Sequence, residues 1–197
     1  MTFSGLVVAG ALLALERACY VWIGRWPQSF SAWVARPSVA SLGDPVAVVE
    51  KLFYGFKILQ LAVFVGWCYL HDPSLMPTAP PTVVGPAVVL FLAAQSLVMI
   101  GFYRLGRVTV FFGDRLGYET PWCSAFPFSV LPHPQYLGAV LSIWAFFAVM
   151  RYPHADWYLI PVIETVYYVA GTALEERDSR HQGASGRAPS SPTLSND

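Results

Sequence analysis

The sequence predicts an all-α, polytopic integral membrane protein of about five transmembrane helices. Three observations carry this reading. Hydrophobic residues make up 55% of the 197 positions and charged residues only 12%, against about 25% charged in an average soluble domain. Five apolar stretches approach the roughly 20 residues that span a bilayer. Arginines concentrate in alternate connections, as basic residues do in chains that cross a membrane repeatedly.

The first stretch, Phe3 to Gly24, has no basic segment before it and contains Glu16 and Arg17. It therefore reads as a transmembrane helix rather than a cleaved leader. The second runs from Val46 to Leu70 and the third from Val83 to Tyr103. The fourth, Pro134 to Arg151, and the fifth, Trp157 to Leu174, are short and separated by the tight Arg151–Asp156 turn. They form either two independent spans or one tilted hairpin. Residues 1–177 are expected to make a single transmembrane domain. The tail 178–197 is rich in serine, proline, glycine and asparagine, which predicts disorder and no part in the chemistry.

Twelve basic residues balance twelve acidic ones, so net charge points to no acidic partner, and no basic patch points to nucleic acid. Cys19, Cys68 and Cys123 are scattered and make neither a metal spacing nor a disulfide framework. Arg25 and Arg36, then Arg104, Arg107 and Arg115, then Arg177, Arg180 and Arg187 fall on one side if all five stretches cross; Arg151 falls on the other. That bias places the N-terminus outside or lumenal and the C-terminus in the cytoplasm.

Charges inside spans are costly and usually face the bundle interior. Glu50, Tyr54 and Lys57 share a helix face. Glu16 and Lys57 fall at similar depths on neighbouring helices. They suit a structural Glu16–Lys57 pair, a local Glu50–Lys51 pair, or the polar wall of a headgroup cavity. At about 100° per residue, Glu164, Tyr168, Gly171 and Glu175 form one stripe on the fifth span. An intramembrane carboxylate beside a tyrosine is a candidate functional group, and equally a helix-packing group.

The stretch Phe126–Gly138, FPFSVLPHPQYLG, stands apart from the surrounding apolar helices. Pro132 and Pro134 hold His133 extended and start the fourth helix at Pro134. Gly138 and Ser142 make a small-residue face that admits another helix closely. The open amides of this helix start favour a carboxylate; Glu175-Glu176, on the same predicted side, suit an ammonium. An ordinary proline-started helix and an ordinary solvated helix end account for the same residues.

The H-P-x-Y-x-G at His133–Gly138, with Glu175-Glu176 ending the next span, resembles the C-terminal signature of membrane methyltransferases. Leu105-Gly106, then Phe111-Phe112-Gly113-Asp114, Gly117 and Phe126-Pro127-Phe128 follow the order of the phosphatidylethanolamine N-methyltransferase family. The resemblance covers Leu105 to Glu176. It implies an enzyme that uses S-adenosyl-L-methionine to methylate the amine of phosphatidylethanolamine and its mono- and dimethyl derivatives, drawing the lipid from the bilayer and the donor from the cytoplasm. It implies cofactor-binding roles for Glu175 and Glu176, and for His133 and Tyr136 with Gly138 in the same motif. The expected location is the endoplasmic reticulum membrane. One departure stands out: the family's G-x-G in the third span is replaced by Phe91-Leu92-Ala93-Ala94-Gln95.

The chemistry so implied needs no metal and no protein nucleophile. Glu164, Asp114 or His133 is the expected proton acceptor. Arg104, Arg107 and Arg115 lie near the lipid phosphate plane and are candidates to grip it, or serve only to set topology. The Tyr168 ring is a candidate to stabilise the substrate ammonium. Rival readings are a prenylcysteine carboxyl methyltransferase, a membrane sterol reductase, and a non-catalytic scaffold of the same fold.

Overall fold

A computed structural model describes the backbone of residues 3–120 and 123–185, and side chains over the same stretches apart from residues 3, 71 and 175–185. The described residues form seven helices and no strand. They are α1 (Phe3–Arg25), α2 (Pro27–Val34), α3 (Pro37–Ala40), α4 (Pro45–His71), α5 (Pro81–Val110), α6 (Pro134–Met150) and α7 (Leu159–Ser185). All five expected apolar helices are present. The short α2 and α3 were not foreseen; each starts with proline at its first turn, where the missing amide proton costs nothing.

Two helices, Ser4–Arg25 and Pro81–Val110, are long and apolar enough to cross a membrane. The apolar helices Pro134–Met150 and Leu159–Leu174 are shorter. Large apolar side chains point outward along the bundle, with Ile58 72%, Val89 67%, Met99 64% and Val169 61% exposed. A water-soluble chain rarely presents so continuous an apolar exterior. The helices and their apolar exterior are compatible with a membrane protein.

Two buried clusters show that the long helices alternate in direction. At one end Ile23 of α1, Phe30 and Val34 of α2, Val39 of α3, Val46, Val48 and Val49 of α4, and Phe111 after α5 pack together. Toward the other end Ala9 and Leu13 of α1, Phe64 and Trp67 of α4, Ile143 and Phe147 of α6 and Ile160 of α7 form the second cluster. The connections holding Arg25 and Arg115 thus lie at one end, as the charge bias predicts. At the opposite end Arg151 is buried and pairs with Asp156 at 2.8 Å, fixing the α6–α7 turn.

Some local expectations change. Glu50 pairs with Arg107 across helices at 2.6 Å, not with Lys51. Lys51 instead donates to the Leu42 carbonyl before α4. Helix α5 continues past Tyr103 to Val110 through a bend at Gly106, whose backbone is left-handed (φ 73°, ψ 164°); an L side chain there is strained. Helix α7 is helical to Ser185, where composition predicts disorder from Asp178, and residues 186–197 lie outside the described residues. The Asp44 carboxylate accepts the Ala47 amide at 2.8 Å and caps α4. Asp44→Ala is expected to cost about 1 kcal/mol, read as a lower thermal unfolding midpoint in detergent.

Candidate active site

Helix α6 starts at Pro134, with His133 as its N-cap at φ −133°, ψ 67°, outside the helical region but not in the extended conformation that the flanking prolines predict. The helix then lies tightly on α5. A Cβ on Gly138 would come 2.6 Å from the Ala94 carbonyl oxygen and 2.7 Å from Val98 Cγ2. One turn on, Gln95 donates to the Ser142 hydroxyl at 3.0 Å, and Ser142 donates to the Gly138 carbonyl at 2.8 Å. The Gly138/Ser142 face is therefore the α5 contact. The chain keeps this approach without the G-x-G because Ala94 is small and 1% exposed.

The loop after α5 is folded by its own motif. Phe111 is buried and packs on Phe53 at 5.5 Å. Phe112 packs on Tyr20 at 5.6 Å. Gly113 leaves no room for a side chain, since a Cβ would sit 2.3 Å from Val108 Cγ1 and 2.6 Å from its carbonyl oxygen. Asp114 and Arg115 follow, 3.4 Å apart. The glycines of LG and FFGD thus shape the loop, and the polar residues after them are the part presented to the interior.

This loop and α6 close one side of a cavity of about 1150 Å³, with α1, α4 and Tyr168 of α7 on the other. Ligand sites typically measure about 300–1,000 Å³, so there is room for two reactants. Helices α4 and α5 flank the cavity and meet through Phe53 and Phe102 at 5.7 Å. Aromatic rings run across it from the motif. His133 stacks on Tyr136 (5.5 Å, 13°), Tyr136 meets Tyr168 edge-on (5.7 Å), and the Arg17 guanidinium lies 3.7 Å over the Tyr168 ring.

Beneath the rings is a charged network. Lys57 Nζ is 2.9 Å from Glu16 Oε1, donates to Gln60 Oε1 at 3.1 Å and lies 3.4 Å from the Tyr168 hydroxyl. Gln60 donates in turn to Glu164 at 2.6 Å. The Glu16–Lys57 pair foreseen from helix depth is present, and it lines the cavity as well as joining α1 to α4. Glu164, Tyr168 and Gly171 face α1 and α4 as the predicted stripe requires.

The structure brings His133, Tyr136, Asp114, Arg115 and Tyr168 to the cavity. It does not bring Gly138, which is spent on helix packing, nor Glu164, which is 2% exposed behind Gln60. Arg104 and Arg107 are exposed and off the cavity, and Arg107 is held by Glu50. The side chains of Glu175 and Glu176 lie outside the described residues. Sequence reasoning assigned no site role to Arg17, Gln60 or Gln95, all of which line the cavity. A charge or amide inside an apolar span was the available signal. Among the described residues no group of histidine, cysteine, aspartate and glutamate is arranged to hold a metal.

The family model described as Phospholipid methyltransferase matches residues 83–179, the stretch holding α5, the loop, α6 and most of α7. The chain is 30% identical over 141 residues to a phosphatidyl-N-methylethanolamine N-methyltransferase of Arabidopsis thaliana, covering 72% of this chain and 77% of that protein. The chain belongs to the phospholipid methyltransferase family. It is 32% identical over 106 residues to the Schizosaccharomyces pombe protein of the same name, covering 53% of this chain and 52% of that one. It is 26% identical over 161 residues to the phosphatidylethanolamine N-methyltransferase of Rattus norvegicus, covering 78% and 75%. No solved structure matches. As a phospholipid methyltransferase the chain is an enzyme of phospholipid methylation, and the match falls on the segment that builds one wall of the cavity.

Proposed function

We propose that this phospholipid methyltransferase methylates the amine of phosphatidylethanolamine or its mono- and dimethyl derivatives, with S-adenosyl-L-methionine as donor. One observation carries the reading: residues of the loop and α6 motifs share a single cavity with the charged groups of α1 and α4. The lining fits the donor, with stacked rings for a purine and several polar groups among apolar walls. The relatives' substrates, as their names state them, supply the lipid class.

When bound, the donor supplies a methyl group on a positive sulfonium, open to in-line displacement by a neutral amine. The protein's work is to align the two reactants, which is worth several kcal/mol, up to about 7–11 in favourable cases. His133 and Tyr136 hold the donor against the α6 start, and Glu175 and Glu176 hold its ammonium. Asp114 and His133 reach the cavity and take the amine proton directly, while Glu164 sits behind Gln60, to which it is hydrogen-bonded. The Tyr168 and Tyr136 faces stabilise the methylated ammonium by cation–π attraction, about 0.5–2 kcal/mol. The lipid enters sideways between α4 and α5. In this reading α1, α4, α5, α6 and α7 all cross the endoplasmic reticulum membrane, the N-terminus is lumenal and the donor arrives from the cytoplasm.

The test is methyl transfer from labelled donor to each of the three lipid amines in membranes expressing the chain. Glu176→Gln is expected to weaken donor binding about tenfold or more, the loss of a charge-assisted contact, measured by calorimetry in detergent. Full activity in a Glu175→Gln, Glu176→Gln double variant sinks the donor-site assignment. Methyl-ester formation on a prenylcysteine, with no lipid product, overturns the substrate.

A further inference from the structure

Arg17 is the one cavity cation whose charge the described residues leave without a carboxylate at ion-pair distance. Lys57 is taken by Glu16, and Arg115 lies beside Asp114. Glu164 is engaged by Gln60. Arg17 Nε and Nη2 are buried and donate no hydrogen bond, and the guanidinium is braced over Tyr168 at 3.7 Å with Tyr20 at 5.9 Å. Ring faces hold a cation in place but accept none of its in-plane hydrogen bonds. A guanidinium with buried, unused donors inside a membrane span is costly unless an anion answers it. Its planar fork matches the two oxygens of a phosphate or carboxylate.

We propose that Arg17, set by the Tyr168 ring, is the oxyanion subsite of the cavity. It takes the phosphodiester of the lipid headgroup or the carboxylate of the methyl donor. Arg17 lies two turns, about 12 Å at 1.5 Å per residue, from the Arg25 end of α1. An anion bound there stands well inside the cavity, against the ring that also meets Tyr136 of the motif. This rests on the proposed reading of the cavity as the place where lipid and donor meet, and it replaces Arg104 and Arg107 as the anion-gripping groups.

Two binding arms, neither needing turnover, separate the sources. In the first, bromo-chain phosphatidylethanolamine and bromo-chain diacylglycerol quench tryptophan fluorescence of the protein in detergent. Wild type is expected to prefer the phosphate-bearing lipid, and Arg17→Gln to lose that preference by about tenfold or more if the phosphodiester is the ligand. In the second, calorimetry with S-adenosylmethionine shows the same loss if the carboxylate is the ligand. Arg17→Lys, which keeps the charge but not the fork, is expected to recover part of the effect in the same arm. Unchanged binding in both arms by a folded Arg17→Gln, or wild type that binds neither probe, overturns the subsite. If Arg17→Gln fails to fold, Arg17→Lys decides it: equal binding to wild type in both arms overturns the fork. Wild type that binds but transfers no methyl overturns the proposed reaction and leaves the subsite standing.

Discussion

Gly138→Ala is expected to destabilise the protein by about 1–3 kcal/mol or more and to remove most of its methyl transfer. The new Cβ would sit 2.6 Å from the Ala94 carbonyl oxygen. That atom belongs to the α5 backbone and cannot rotate away as a side-chain end can. Relief requires α6 to move off α5, carrying His133 and Tyr136 with it and breaking the Gln95–Ser142 bond. Gly55→Ala on α4 is the matched control, because a Cβ there meets nothing within 4 Å and alanine is the better helix former. The measurement is the thermal midpoint of both variants in detergent, with activity beside it. An unchanged midpoint in Gly138→Ala contradicts the close α5–α6 contact.

Lys57→Met has the second large expected effect. It leaves Glu16, whose side chain is 7% exposed, without its cation. Removing one partner of a buried pair typically costs about 3–5 kcal/mol; the 30% exposure of Lys57 puts the cost at the lower end. Glu16→Gln with Lys57→Met is expected to recover much of that loss, because no uncompensated charge remains. The check is a double-mutant cycle on unfolding in detergent, with an expected coupling of about 0.5–3 kcal/mol. Strictly additive losses count against the pair. The double variant is expected to stay poor in methyl transfer even where it is stable, since both residues line the cavity.

Much of this protein was readable along the chain because its signals are local. The five long helices announce themselves as apolar runs, and Pro134 starts α6 where proline at a first turn should. The Gly138/Ser142 face was legible as a close-packing face by its spacing, and Glu16–Lys57 by depth on adjacent spans. The Glu50 partner was misjudged because sequence proximity favours Lys51, whereas the far end of α5 delivers Arg107 across the gap. The placement of Arg104 and Arg107 off the cavity was likewise hidden. It depends on the bend at Gly106 and on which way the helix faces after it.

By itself the sequence determined the apolar, helical class, the approximate positions of five of the seven helices, the motif segment and the alternation of charged connections. These follow from hydropathy, proline geometry and residue spacing, which need no partner to be read. Only the tertiary structure decided which polar groups share the cavity. Gly138 turned out to be packing material, Glu164 a buried group behind Gln60, and Arg17 a cavity-lining group held over the Tyr168 ring. The reason is that each helix has one inward face set by its contacts with the others. Whether a charge in a span meets a counter-charge, a ring or a cavity depends on residues a hundred or more positions away, as Lys57 and Tyr168 do across a separation of 111.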